Sequence, residues 1–194
     1  MRLDCAVYNY ENKKLGKLRL LHQFKGSHAV NRQVITVLPC ASKEKLEEFM
    51  FADVNRKYIN AEWFAFAHFY HNENDAMERD LYLGLLKTDY EVRGKEYAED
   101  ALRGIAMAAD KDKYKILRVR SEDRYVEYYQ RLGFKLMSRD EIALFENPDA
   151  LGKLPCLKAQ IKKTVFADFS RFKKDDTLSN FATELMKERG DLRW

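Results

Sequence analysis

Residues 81–134 change their apolar period twice, and this constrains the fold more than any other part of the chain. The run Leu81-Tyr82-Leu83-Gly84-Leu85-Leu86 is too short and too continuous for an amphipathic helix and reads as a buried strand. After Arg93-Gly94-Lys95 the spacing becomes helical, with Tyr97, Ala98, Ala101, Leu102, Ile105 and Ala109 on one face and Glu96, Glu99, Asp100 and Arg103 on the other. A basic strand at 115–120 and a short helix ending at Gly133 follow. A strand that turns directly into a helix presents unbonded backbone N–H groups and the positive end of the helix dipole, a ready anion site.

At 194 residues the chain fits one domain with an appended segment. Its 46% hydrophobic and 13% aromatic content excludes a disordered polymer. A net charge of +4 allows an anionic ligand without announcing a nucleic-acid binder. Cys5, Cys40 and Cys156 stand apart with no CxxC pairing, which points to free thiols, no metal site and a reducing compartment. With no secretory signal and no span of ~20 apolar residues, the expected location is the cytoplasm, away from membranes.

Leu3, Cys5 and Val7, then Leu18 and Leu20, alternate with polar residues and suggest a hairpin within residues 1–30. Val34 to Leu38 reads as a strand stopped by Pro39, and Ser42 as the N-cap of a helix over 43–58 with Leu46, Phe49, Met50 and Val54 inward. Residues 61–70 and 80–88 are apolar on both faces and read as two equally buried strands, joined by a turn at 71–75 into a central antiparallel hairpin. Further strands are expected at 134–137 and 156–161, and a last amphipathic helix at 177–189. The expected class is α/β, with a mixed, mostly antiparallel sheet flanked by helices.

Taken together, Leu85-Leu86-Lys87-Thr88, the Arg93 to Leu102 segment and Tyr128-Tyr129-Gln130-Arg131-Leu132-Gly133-Phe134 resemble the signature segments of the GNAT acyltransferase superfamily. The resemblance covers about 55 residues and implies a GNAT-like domain over 1–161 with a basic, helical extension over 162–194. It implies acetyl-coenzyme A as co-substrate, with the pyrophosphate on Arg93, Gly94, Lys95, Tyr97 and Ala98, and the pantetheine arm along Thr88. It also implies an amine acceptor, protein or small molecule, and Tyr129 as the acid that protonates the departing thiolate. Arg93 and Lys95 could instead be solvated charges, and Tyr129 a groove-lining aromatic. For the base, Asp80 is preferred over Glu78, His68 and His71; Asp80 could also be a turn residue and His68 a core histidine.

Two departures from the family pattern favour an alternative, a scaffold that binds a protein or nucleic-acid partner without catalysis. Glu96 stands where the loop usually has Gly, facing a carboxylate toward the phosphate place, and Glu122 stands where many members have Asn. In the extension, Lys158, Lys162, Lys163, Arg171, Lys173 and Lys174 interleave with Phe166, Phe169 and Phe172. Such a mix can grip nucleic acid, but aromatics that dock the segment while lysines stay in water are the expected arrangement.

Overall fold

Alternating apolar residues in the N-terminal half build a succession of antiparallel strands, β1 (Arg2–Asn12), β2 (Gly16–Gly26), β3 (Val30–Pro39), β4 (Ala65–Asn72) and β5 (Asp80–Thr88). The computed structural model describes residues 2–12, 16–26, 30–40, 42–51, 64–72, 80–89, 93–143 and 154–189. Helix α1 (Lys43–Phe51) precedes β4, and α2 (Tyr97–Asp112) links β5 to β6 (Ile116–Arg120). Next come α3 (Asp123–Arg131), β7 (Lys135–Leu136), α4 (Arg139–Ala143), β8 (Cys156–Gln160), β9 (Lys173–Lys174) and α5 (Asp176–Arg189). The strands form one sheet in the order β7-β8-β6-β5-β4-β3-β2-β1-β9. Among the described residues only β5 and β6 pair in parallel, because the α2 crossover returns the chain in the same direction. The mixed, mostly antiparallel α/β architecture expected from the sequence is the one observed.

The sheet is covered on both faces. On one, α2 lays Ala101, Leu102, Ile105 and Ala109 over Leu20, Ile35, Ala67, Leu81 and Leu117. Gly104 allows that approach: a Cβ there would stand 2.8 Å from methyls of both Leu20 and Ile35. On the other face, Leu46, Phe49 and Met50 of α1 pack with Leu178, Ala182 and Met186 of α5 over Val7, Leu21 and Leu38. Ser42 caps α1 as expected, accepting from the Lys45 N–H at 3.4 Å; Val54 lies outside the described residues.

The C-terminal segment closes the sheet at its β1 edge. β9 pairs with Tyr8 and Asn9 of β1. Beyond that short pairing, α5 side chains take over: Ser179 Oγ accepts from the Val7 N–H at 2.9 Å, and Thr183 Oγ1 accepts from the Cys5 N–H at 3.2 Å. Edge groups that would template another strand are thus bonded within the chain. Phe166 and Phe172 are buried in the core and Phe169 packs against it, while Lys162, Lys163, Lys173 and Lys174 stay exposed.

Several boundaries differ from the sequence reading. His71 and Asn72, expected in a turn, continue β4 opposite Asn31 and Val30, because the partner strand runs on and ladder bonds outweigh local polarity. Pro39 sits inside β3 as its last residue. The strand expected at 134–137 shortens to Lys135–Leu136, and Ile161 opens a 3-10 turn rather than ending β8. The three cysteines are free thiols, two buried and Cys40 exposed. No helix among the described residues is long and apolar enough to cross a membrane.

Candidate functional site

The second of the two central strands is not evenly buried, contrary to expectation. Between His68 and Phe69 of β4 the register slips, so that His68 faces Leu85 but Phe69 faces Leu83, and Gly84 is the extra residue of a bulge. A bulge reverses the alternation that follows it. Leu81 and Leu83 point into the α2 side, and past the bulge it is Leu86 that packs against the same core. Leu85, which strict alternation would bury, is exposed.

The same strand parts from its neighbour. β6 pairs with β5 only as far as Leu83 opposite Val119. Beyond that, β5 stays with β4 through Thr88 opposite Ala65, whereas β6 stays with β8 through Arg120 opposite Cys156. Two strands held by different partners diverge, and the sheet opens as a wedge.

A cleft of about 620 Å³ occupies the α2 side of this opening, within the range of small-ligand sites. Leu86, Lys87 and Thr88 of β5, Arg93 to Ala98 apart from Lys95, Glu99, and one side of α3 line it. Thr88, Arg93, Gly94, Tyr97, Ala98 and Tyr129 are therefore brought together. Lys95 is exposed and does not line the cleft, and Asp80 lies elsewhere. The sequence reading missed Lys87, Tyr125, Tyr128 and Arg131. Tyr125, Tyr128, Tyr129 and Leu132 fall at i, i+3, i+4 and i+7, the signal that marks them as one helix face. Tyr128 and Tyr129, adjacent in the chain, both line the cleft, their rings 5.4 Å apart and 68° inclined.

At the loop, Gly94 (φ 79°) and Glu96 (φ 64°, ψ 12°) both adopt the left-handed conformation. The Glu96 carbonyl accepts the first helical bond from the Asp100 N–H at 3.0 Å, and the Glu96 side chain makes no capping bond. The N–H groups of Tyr97, Ala98 and Glu99 precede that bond and lie at the positive end of α2. Tyr97 itself is a packing residue, stacked on Phe64 with ring centres 4.5 Å apart.

Asp100, one turn into α2, is fully buried and gathers groups from three parts of the chain. Tyr10 Oη donates to it at 3.0 Å, Asn12 Nδ2 at 3.3 Å and Arg103 Nη1 at 2.7 Å, and Arg171 of the C-terminal segment pairs with it too. Both β1 and the extension are tied in this way to the first turn of α2.

Tyr129 is only 8% exposed and packs edge-on against Phe134 at 5.2 Å, with Phe134 against Phe166 of the extension. Burial, and secondarily Tyr125, pushes its hydroxyl up to about 12. Burial also raises Tyr128, helped by the neighbouring Glu99 carboxylate. Asp80 is 2% exposed and ion-paired with Arg118 of β6, which lies against the Tyr82 ring at 5.7 Å. Glu122 is the exposed N-cap of α3 and pairs with Arg124 at 2.7 Å. Among the described residues, no group of three His, Cys, Asp or Glu side chains is placed to hold a metal ion.

No family model matches the sequence, and no curated protein matches it. Several solved structures are similar in fold. Tetrahymena GCN5 is 8% identical, with 66% of this chain and 68% of that one covered at a TM-score of 0.46. An acetyltransferase of the GNAT family from Staphylococcus aureus is 11% identical, with 66% and 67% covered at 0.43. The PaiA N-acetyltransferase of Thermoplasma acidophilum, solved in complex with coenzyme A, is 11% identical, with 66% and 60% covered at 0.44. The order of elements, with one parallel pair that parts and a loop that opens α2, is the order expected from the sequence resemblance to GNAT acyltransferases.

Proposed function

We propose that the chain is an N-acyltransferase that moves the acetyl group of acetyl-coenzyme A to an amine, in the cytoplasm, where its free thiols would stay reduced. The carrying observation is that one cleft joins the split edge of β5, the N-terminus of α2 and a buried, protonated tyrosine. These residues fit the co-substrate. The cations Lys87, Arg93 and Arg131 and the N–H groups of Tyr97 and Ala98 would hold its phosphates, and the β5 edge up to Thr88 its extended arm. Lys95, exposed beside this loop, would add a solvated charge.

Acetyl-coenzyme A supplies an acetyl group activated as a thioester. The amine lone pair forms the new C–N bond as the C–S bond breaks, and sulfur leaves with the bonding pair. Tyr129 meets that charge. With its proton held to about pH 12, it is a hydrogen-bond donor throughout the neutral range. Full transfer to a thiol of ordinary pKa, about 8.5, is uphill, so its contribution is chiefly the hydrogen bond to the developing thiolate. Asp80, which does not line the cleft, is our candidate for taking the amine proton through water; Asp80→Asn, which keeps a hydrogen-bonding group beside Arg118, should lower kcat on that reading.

Titration calorimetry with acetyl-coenzyme A tests the proposal. Tight binding is expected, and a thermal midpoint unmoved by millimolar ligand would sink it. Tyr129→Phe should lower turnover at least tenfold while leaving co-substrate affinity nearly intact; equal turnover removes Tyr129 from the chemistry. One observation favours a second reading, a scaffold without catalysis: Glu96, an acidic residue, lines the cleft. The same unmoved midpoint would support it.

A further inference from the structure

The two helices that wall the cleft, α2 and α3, are joined behind it by the C-terminal segment. None of residues 161–172 lines the cleft, yet they touch both helices that do. On the α3 side the Val165 N–H donates to the Leu132 carbonyl at 3.3 Å. Phe166, fully buried, lies 6.0 Å from Phe134, whose ring in turn supports Tyr129 at 5.2 Å. The fit is close: a Cβ on Gly133 would stand 3.3 Å from the Lys163 carbonyl oxygen and from Thr164 Cα. On the α2 side Arg171 pairs with Asp100 in the first turn.

Arg171 is held in one place. Its guanidinium lies 5.4 Å from the centre of the Tyr10 ring and 5.7 Å from that of Phe172, and those two rings meet edge-on at 4.8 Å. A planar fork of donors set against two rings and a fully buried carboxylate has few alternative positions. Asp100 follows directly from the opening loop, its N–H donating to the Glu96 carbonyl at 3.0 Å. The segment thus fixes the first turn of α2 by an ion pair and the end of α3 by packing, and with them the distance between the two walls.

We propose that the C-terminal segment is a brace for the cleft and Arg171 a positioning residue: touching no ligand, it presets through Asp100 the spacing of α2 and α3 at which coenzyme A binds. The proposal rests on reading the cleft as the co-substrate site. A cleft already at its bound spacing has less ordering to lose when the ligand enters. The linkage is reciprocal, so whatever factor the docked segment adds to ligand affinity, the ligand returns to the docking of the segment. An arginine that merely stabilised the fold would show no such exchange.

Calorimetric titration of the full chain with coenzyme A, combined with amide hydrogen exchange in the free and bound states, tests the brace. In the unaltered chain coenzyme A should slow exchange about tenfold at the Val165, Ala167 and Phe172 amides, which lie outside the cleft. Arg171→Gln should weaken coenzyme A binding by about the same tenfold and abolish the slowing, while thermal melting stays cooperative. Arg171→Lys, which keeps the charge without the fork, should fall between the two. Failure of the unaltered chain to bind coenzyme A overturns the acyltransferase reading and the brace with it. Binding that leaves the three amides unprotected, or that is as tight in Arg171→Gln as in the unaltered chain, overturns the brace alone. The exchange measurement needs no variant, so it decides even where Arg171→Gln folds poorly.

Discussion

Replacing Glu96 by Gly should both stabilise the protein and tighten its hold on coenzyme A. Glu96 occupies the left-handed region at φ 64°, ψ 12°, which disfavours an L-residue by about 1–2 kcal/mol. Glycine removes that strain but adds about 0.5–1 kcal/mol of chain entropy to the unfolded state. The exposed carboxylate contributes at most about 1 kcal/mol through any surface pair. The net expectation is about 0.5–1 kcal/mol of added stability, a rise of about 1–4 °C in Tm for a chain of this size. At the ligand, a carboxylate 4–8 Å from a phosphate charge in water costs about 0.5–1 kcal/mol per charge, before screening. Removing it should tighten coenzyme A binding about three- to tenfold at 50 mM salt, and the gap should narrow at 300 mM. Calorimetric titration at both salts with a thermal melt checks this. A lower Tm would refute the strain argument, and an unchanged, salt-indifferent affinity would refute the placement of pyrophosphate at this loop.

Other outcomes follow from the packing. Asp100→Ala leaves Tyr10 and Asn12 without their acceptor and Arg103 and Arg171 without their counter-charge, and should cost about 3–5 kcal/mol in urea unfolding; a loss under about 1 kcal/mol would refute the hub. Gly104→Ala gains helix propensity but overpacks Leu20 and Ile35, for a net loss of about 1–2 kcal/mol; a gain in Tm would show that α2 can shift outward. Burial raises the Tyr129 hydroxyl to about 12, so the unfolded chain loses that proton first and stability falls as pH rises from 10 to 12. In alkaline melts, Tyr129→Phe should flatten that fall. Burial lowers His22 below 6.5, so its contribution is full above that pH and is lost as pH falls further; His22→Gln should show a shallower decline in acid melts.

The sequence by itself determined the elements whose signal is local. The change from strand to helical spacing at Arg93 to Ala109 depends only on neighbours in the chain, and so does the glycine that ends α3 at Gly133, φ 102°. Those signals carried the fold class and brought Thr88, Arg93 and Tyr129 onto one reading. What the sequence could not decide depends on partners far along the chain. The bulge at Gly84 exists because β5 must satisfy β4 on one edge while leaving β6 on the other, so the exposure of Leu85 was not written in its neighbours. Asp100 looked like a solvent-side charge of an amphipathic helix. Only the arrival of Tyr10 from β1 and Arg171 from the C-terminal segment makes burying that carboxylate affordable. The C-terminal phenylalanines were expected to dock their segment rather than grip nucleic acid, but their sites in the core were not legible. Tertiary packing sends Phe166 and Phe172 into the core because the α2 side offers them more apolar surface than water does.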